Sequence, residues 1–194
     1  MALPTYDKNK RKKTFVQLPK DAYVIVIKNA KEMQNKKGGS RLDIAFDIAE
    51  GEYKDYYMQQ YQNNSNEDKK WSNDAIFRIN IPSDGCQQYV WDNWNTFFAD
   101  LEDSNNGFVF SGDLTALKGK LIGGKFHIEQ TEYNGNIYDH TRMKWTCVAS
   151  DVRNGKAGKL PNDKLIGFGR QQVQTDPDGF MQIPEGTDEE VPWN

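Results

Sequence analysis

Between Leu42 and Ala49 the chain alternates strictly: Leu42, Ile44, Phe46 and Ile48 fall on one side, and Asp43, Ala45, Asp47 and Ala49 on the other. A period of two is the signature of a strand with one face against a core and the other toward water. The chain must therefore build a sheet, and its other segments are read as partners for this strand. Residues 22–30 (AYVIVIKNA), β-branched and aromatic, supply a first strand, separated from it by the polar glycine loop 34–40 (QNKKGGS). Residues 54–62 (KDYYMQQYQ) read as a third strand, returning as a hairpin through the turn Glu50-Gly51-Glu52. Residues 75–81 (AIFRINI) alternate again as a short extra strand that Pro82 stops.

From Asp84 the period changes. Tyr89, Val90, Trp94, Phe97, Phe98 and Leu101 recur at spacings of three and four, which puts them on one face of a helix. Asp84 is the expected N-cap, with Gln87 in the capping-box position. Residues 121–132 are strand-like across Gly123 and Gly124, Asn134-Gly135-Asn136 is a hairpin turn, and 137–148 return as a fifth strand. In that strand Thr141, Met143, Trp145 and Cys147 alternate against Arg142, Lys144, Thr146 and Val148. The fold expected is mainly β: an OB-fold, a five-stranded Greek-key barrel with one helix between strands 3 and 4. A β-sandwich with one helix would give a similar list of elements. The expected organisation is a basic N-terminal arm (1–21), the OB-fold domain (22–150), and a linker with an acidic C-terminal tail (151–194).

Charge is distributed unevenly along these parts. The chain has 25 Lys+Arg and 28 Asp+Glu, but six of the acids (Asp176, Asp178, Glu185, Asp188, Glu189, Glu190) follow Gln171 with no base among them. Residues 1–170 thus carry +3 and the remainder −6. Asymmetry of that kind marks an interaction tail. The arm contributes Lys8, Lys10, Arg11, Lys12 and Lys13.

Catalytic signatures are sparse. Cys86 and Cys147 have no CxxC spacing, and with His127 and His140 they match no common zinc-ligand pattern, so neither a metal nor a cofactor is expected and both thiols read as packed and free. Residues 119–126 (GKLIGGKF) approach a phosphate-binding loop but end in Phe126 where magnesium needs a hydroxyl, and they run into a strand rather than a helix. Asp43, Asp47, Glu129 and Glu132 show no spacing that separates them from a solvated strand face, and no GxSxG motif occurs. A non-enzyme is expected. No apolar run approaches the roughly 20 residues of a membrane span, and the start lacks a signal-peptide core, so the expected location is cytoplasmic.

Aromatic residues interleaved with bases are the constellation that points to a ligand. Lys36, Lys37 and Arg41 belong to the loop after the first strand. Tyr53, Lys54, Tyr56 and Tyr61 sit on the expected third strand and its approach, with Lys69, Lys70 and Trp71 in the loop after it. Lys125, Tyr133, Tyr138, Arg142 and Lys144 belong to the last two strands. Rings stack on bases at about 1–3 kcal/mol each without regard to sequence, and lysine and arginine neutralise phosphates. A barrel core also needs aromatic residues, so of Tyr56 and Tyr57 only one is expected to face outward.

The end of the chain, Asp188-Glu189-Glu190-Val191-Pro192-Trp193, together with the hairpin Glu132 to Ile137 leading to Arg142-Met143-Lys144 and Ser150-Asp151-Val152-Arg153, resembles the single-stranded DNA-binding proteins of bacteria and their phages. The likeness is to the OB-fold versions from phage or prophage replication and recombination modules. It implies sequence-independent binding of single-stranded DNA in a bacterial host cell, with homo-oligomerisation left open. It also implies docking of replication or recombination proteins by Asp188, Glu189, Glu190, Val191, Pro192 and Trp193. Bacterial members end on the aromatic residue, whereas Asn194 follows here. Two other readings fit the composition: an acidic protein-interaction or inhibitory module of a phage that does not bind DNA, and a carbohydrate-binding β-domain.

Overall fold

The computed structural model describes residue 5 and residues 16–34 and 38–167. Five antiparallel strands form one open sheet in the order β3-β2-β1-β4-β5. They are β1 (Ala22–Gln34), β2 (Ser40–Ile48), β3 (Ile76–Asn80), β4 (Leu121–Tyr133) and β5 (Asn136–Cys147). The long β1 is central and serves two partners. Ile25 to Gln34 pair with β2 across a bulge between Ile27 and Asn29, while Ala22 to Val26 pair with β4. The expected Asn-Gly turn joins β4 to β5, with Asn134 at φ 51° and Gly135 at φ 75°, the positive values that a tight two-residue hairpin requires.

The alternation in β2 works as its period demands. Leu42, Ile44, Phe46 and Ile48 are all buried, and the Phe46 ring meets Tyr57 at 5.7 Å and Phe126 at 5.8 Å. The helix α2 (Gln88–Ser104) closes this core with Phe97, Phe98 and Leu101. It starts later than expected: Gln87, not Asp84, is its N-cap, and no side chain caps it.

Residues 54–62 do not form a strand. A helix, α1 (Tyr56–Asn63), occupies this stretch, and β3 pairs with β2 in place of the expected third strand. The cause lies in Asp47. Although its alternation marks it as solvent-facing, it is fully buried, and its carboxylate accepts the amides of Tyr57 (2.9 Å) and Met58 (3.1 Å) in the first turn of α1, besides that of Ile48. Asp55 enters the helix at φ 57° and gives no side-chain cap of its own, so a residue from the preceding strand supplies what the local sequence lacks.

The two edges of the sheet are linked by side chains. Asp74, in the 3-10 turn Asn73–Ala75 before β3, faces His140 Nδ1 (3.0 Å) and accepts a bond from Arg142 Nε (2.8 Å), both on β5. Leu18 is buried beside this junction; its amide donates to Tyr56 Oη, and its carbonyl accepts from Thr141 Oγ1.

The linker expected from residue 151 does not begin there. A short helix, α3 (Ala149–Arg153), follows β5, and the chain then returns along β4 in a parallel bridge between Glu129 and Lys164. Asp163 Oδ1 accepts the Ile128 amide at 2.9 Å and pairs with Lys20 at 2.9 Å. Gly123 and Gly124 are required by close packing: a Cβ on Gly123 would lie 2.8 Å from the Cys147 carbonyl oxygen, and one on Gly124 would lie 2.8 Å from Met143 Sδ. The bulge of this ribbon falls at the next step, between Lys125 and Phe126.

Candidate nucleic-acid interface

A cleft of about 640 Å³ opens between β3, the first half of α2 and the β4–β5 ribbon. Arg78 enters from β3, Lys125 and Glu129 from β4, and Arg142, Lys144 and Trp145 from β5, while Tyr89 stands on α2 and Lys164 on the returning C-terminal segment. The bulge shapes this site. Lys125 pairs with Trp145, but Phe126 pairs with Met143, so one extra β5 residue, Lys144, is accommodated between them. The strict alternation of β5 is thereby broken. Met143 is buried, and Trp145, which the sequence pattern puts on the same side, is 45% exposed.

The bases of the cleft fall into two groups. Arg142 is held by Asp74 (2.8 Å) and Glu129 (2.7 Å), and Glu129 also holds Lys164 at 2.6 Å. Burial alone would push the Glu129 carboxyl up, but the bonds from Lys164 and Arg142 outweigh it and bring its pKa down to about 2. Burial likewise opposes the charge of Arg142, and its two carboxylate partners reverse that and raise its pKa. These charges are largely satisfied within the protein. Lys125 and Lys144 form no ion pair among the described residues. They share the cleft with the exposed rings of Trp145 and Tyr89.

The other expected binding residues are dispersed. Arg41 lies on the solvent-facing side of β2 and is engaged by Asp43 at 2.6 Å. Tyr53 and Tyr56 belong to an edge-to-face cluster with Tyr23 and Tyr57. Tyr56 also donates to the Val16 carbonyl at 3.0 Å, and burial pushes its phenol up to about 12, so these rings hold α1 and the N-terminal segment in place. Tyr57 is the inward member of the Tyr56–Tyr57 pair, 2% exposed, yet Tyr56 is also partly buried. Lys54 is exposed in the turn before α1.

Tyr61 and Trp71 meet at 5.9 Å, with Lys69 Nζ 6.0 Å from the Tyr61 ring and Lys70 exposed beside them. Trp71 is half-buried against the core, which leaves Tyr61 as the more accessible ring. Tyr133 and Tyr138 are exposed at the far end of the β4–β5 hairpin. Lys36, Lys37 and the docking residues Asp188, Glu189, Glu190, Val191, Pro192 and Trp193 lie outside the described residues.

Of the residues named from sequence, the cleft brings together Lys125, Arg142 and Lys144. It adds Arg78, Tyr89, Trp145 and Lys164, which the sequence reading did not select. Arg78 was legible as the polar position between Phe77 and Ile79; Lys164 was not, since its place depends on the chain folding back over β4. Cys147 is buried, and burial pushes its thiol up to about 11, the opposite of what an activated nucleophile needs; Cys86 is partly exposed. No group of three potential metal ligands occurs among the described residues, and no helix among them is long and apolar enough to cross a membrane. No family model matches the sequence, and no curated protein matches it.

Proposed function

We propose that this protein is a non-catalytic, sequence-independent single-stranded DNA-binding protein with an OB-fold, acting in replication or recombination and recruiting partners through its acidic C-terminus. The OB reading is supported by the strand order β3-β2-β1-β4-β5, with α2 between β3 and β4 and Asp74 linking the two edges of the open sheet. The observation that carries the ligand is the cleft itself. Two lysines without an ion pair among the described residues, Lys125 and Lys144, share the cleft with exposed Trp145 and Tyr89, which combines phosphate neutralisation with stacking in one place. A single strand presents both an unpaired base and a phosphate to such a site, whereas a duplex hides its base faces.

Fluorescence-polarisation titration with labelled poly-dT, duplex DNA and an oligosaccharide at two salt concentrations tests this, with tryptophan quenching followed in parallel. Tight, salt-sensitive binding confined to the single strand supports the reading. Absence of binding and quenching with every nucleic acid removes it in favour of a protein-interaction module, and binding of the oligosaccharide alone points to the carbohydrate reading.

A further inference from the structure

A second cavity, of about 230 Å³, shares no lining residue with the cleft. Asp74 lines the cavity, and Arg142, bonded to it at 2.8 Å, lines the cleft, so this ion pair stands between the two. The period of β5 makes the same division: Asp139 and Thr141 fall on one side of the strand, Arg142 and Lys144 on the other. Leu18 and, at the start of α1, Tyr56 and Tyr57 supply further walls.

Tyr57 is 2% exposed, and its hydroxyl has no hydrogen-bond partner among the described residues. Buried hydroxyls are nearly always paired, because an unpaired one forfeits its bond to water. The ring is held edge to face by Phe46 at 5.7 Å and Tyr56 at 5.0 Å, so it cannot swing out to solvent. Burial pushes the phenol pKa up, and Asp74 is the largest of the charges that add to this. The hydroxyl therefore stays protonated and neutral, in the field of a carboxylate that lines the same cavity. Among the described residues no basic side chain lines it. Arg142 and His140 engage Asp74, whereas Asp139 accepts from Gln130 Nε2 at 2.9 Å and forms no ion pair among the described residues.

Two carboxylates without a lining base repel a phosphate, and Leu18 with the tyrosine rings offers apolar surface to a hydrocarbon stem. A primary ammonium brings three N–H donors and no acceptor, which suits a site of carboxylate and hydroxyl oxygens. We propose that this cavity binds a primary ammonium group on a short alkyl stem, with Asp139 as its counter-ion and Tyr57 Oη as a hydrogen-bond acceptor. A free alkylamine and a lysine side chain of another polypeptide carry this same chemistry. The site does not depend on what the cleft binds, since the two have no lining residue in common.

Heteronuclear NMR of the full chain, titrated with n-butylammonium chloride at constant ionic strength, tests this without any nucleic acid. The expected result is saturable shifts at the amides of Leu18, Tyr57 and Thr141, with the Trp145 indole N–H in the cleft unmoved. n-Butanol, which has the same stem and no charge, should not bind. Asp139→Asn should weaken the amine by about tenfold or more, the loss of one charge-assisted hydrogen bond. Tyr57→Phe should also weaken it, and should raise the urea midpoint of the free protein, because it removes an unpaired buried hydroxyl. A capped Gly-Lys-Gly peptide separates the sources: binding tighter than n-butylammonium assigns the site to a lysine side chain, and weaker binding assigns it to a free amine. No saturable shift with either amine, equal binding of n-butanol, the same shifts from potassium chloride, or unchanged affinity in Asp139→Asn would each overturn the proposal.

Discussion

Replacing Asp47 by Ala should destabilise the protein more than any surface carboxylate would. The carboxylate is fully buried and accepts three backbone amides, of which those of Tyr57 and Met58 begin α1 and find no partner inside the helix. Leaving the buried Tyr57 donor and the partly buried Met58 donor unsatisfied costs about 1–3 kcal/mol each, nearer the lower end for Met58. Some of this is returned, because burial raises the Asp47 pKa above its ordinary 3.8, so the ionised group opposes folding as pH rises through that window. A net loss of about 2–4 kcal/mol is expected at neutral pH. Asp47→Asn keeps one oxygen for Ile48 and Tyr57 and gives up the bond to Met58, so its loss should be nearer 1 kcal/mol. Urea denaturation gives both values, and amide hydrogen exchange should show faster opening from Tyr57 to Tyr61 in the alanine variant. A stability within about 0.5 kcal/mol of wild type for Asp47→Ala, or equal losses for the two variants, would refute the remote-cap argument.

Glu129, lowered from 4.5 to about 2 by Lys164 and Arg142, stabilises the fold fully above pH 4.5 and loses that contribution as pH falls toward 2. Glu129→Gln should therefore lower stability at neutral pH, by about 3 kcal/mol at the most, and flatten the acid limb of the denaturation curve. Trp145→Ala should weaken poly-dT binding by about 1–3 kcal/mol and remove part of the tryptophan quenching, while Tyr53→Phe leaves affinity unchanged. Lys144→Gln should lower the slope of log affinity against log salt by about 0.7, the value for one phosphate contact on a single strand. Gly123→Ala should cost about 1–3 kcal/mol in urea melts, because the Cys147 carbonyl 2.8 Å from the new carbon is backbone and cannot turn away; adding Cys147→Ala would recover only part.

The legible elements were those whose signal is local. The apolar side of β2, the Asn134-Gly135 turn and the face of α2 from Val90 to Leu101 stand where a period or a turn dipeptide puts them, whereas Tyr89, expected on that helical face, is exposed. The segment from Tyr56 to Asn63 was misread because its tyrosines suit a strand, whereas its helix depends on Asp47, eight residues before its own N-cap. In the cleft, Lys125, Arg142 and Lys144 could be named from composition, since bases on strands near aromatic residues are visible in one dimension. Trp145 could not be assigned to the exposed side, because its facing is reversed by a bulge that shows only in the register of two paired strands. Tyr53 and Tyr56 were attractive for the same compositional reason, yet they bind Tyr23 and the N-terminal segment.

By itself, the sequence determined that there would be a half-buried antiparallel sheet with one amphipathic helix, and that a basic body would carry an acidic end. Periodicity and charge count are properties of neighbours in the chain, so they survive without coordinates. Tertiary structure alone decided which cations are held in ion pairs, since Arg142 meets Asp74 at a separation of 68 residues and Lys164 meets Glu129 at a separation of 35. It also decided that Gln17 and Ile166 are anchored at one rung of one ribbon, because hydrogen bonds between Gln17, Asp139, Gln130 and Ile166 join residues that no sequence window holds together.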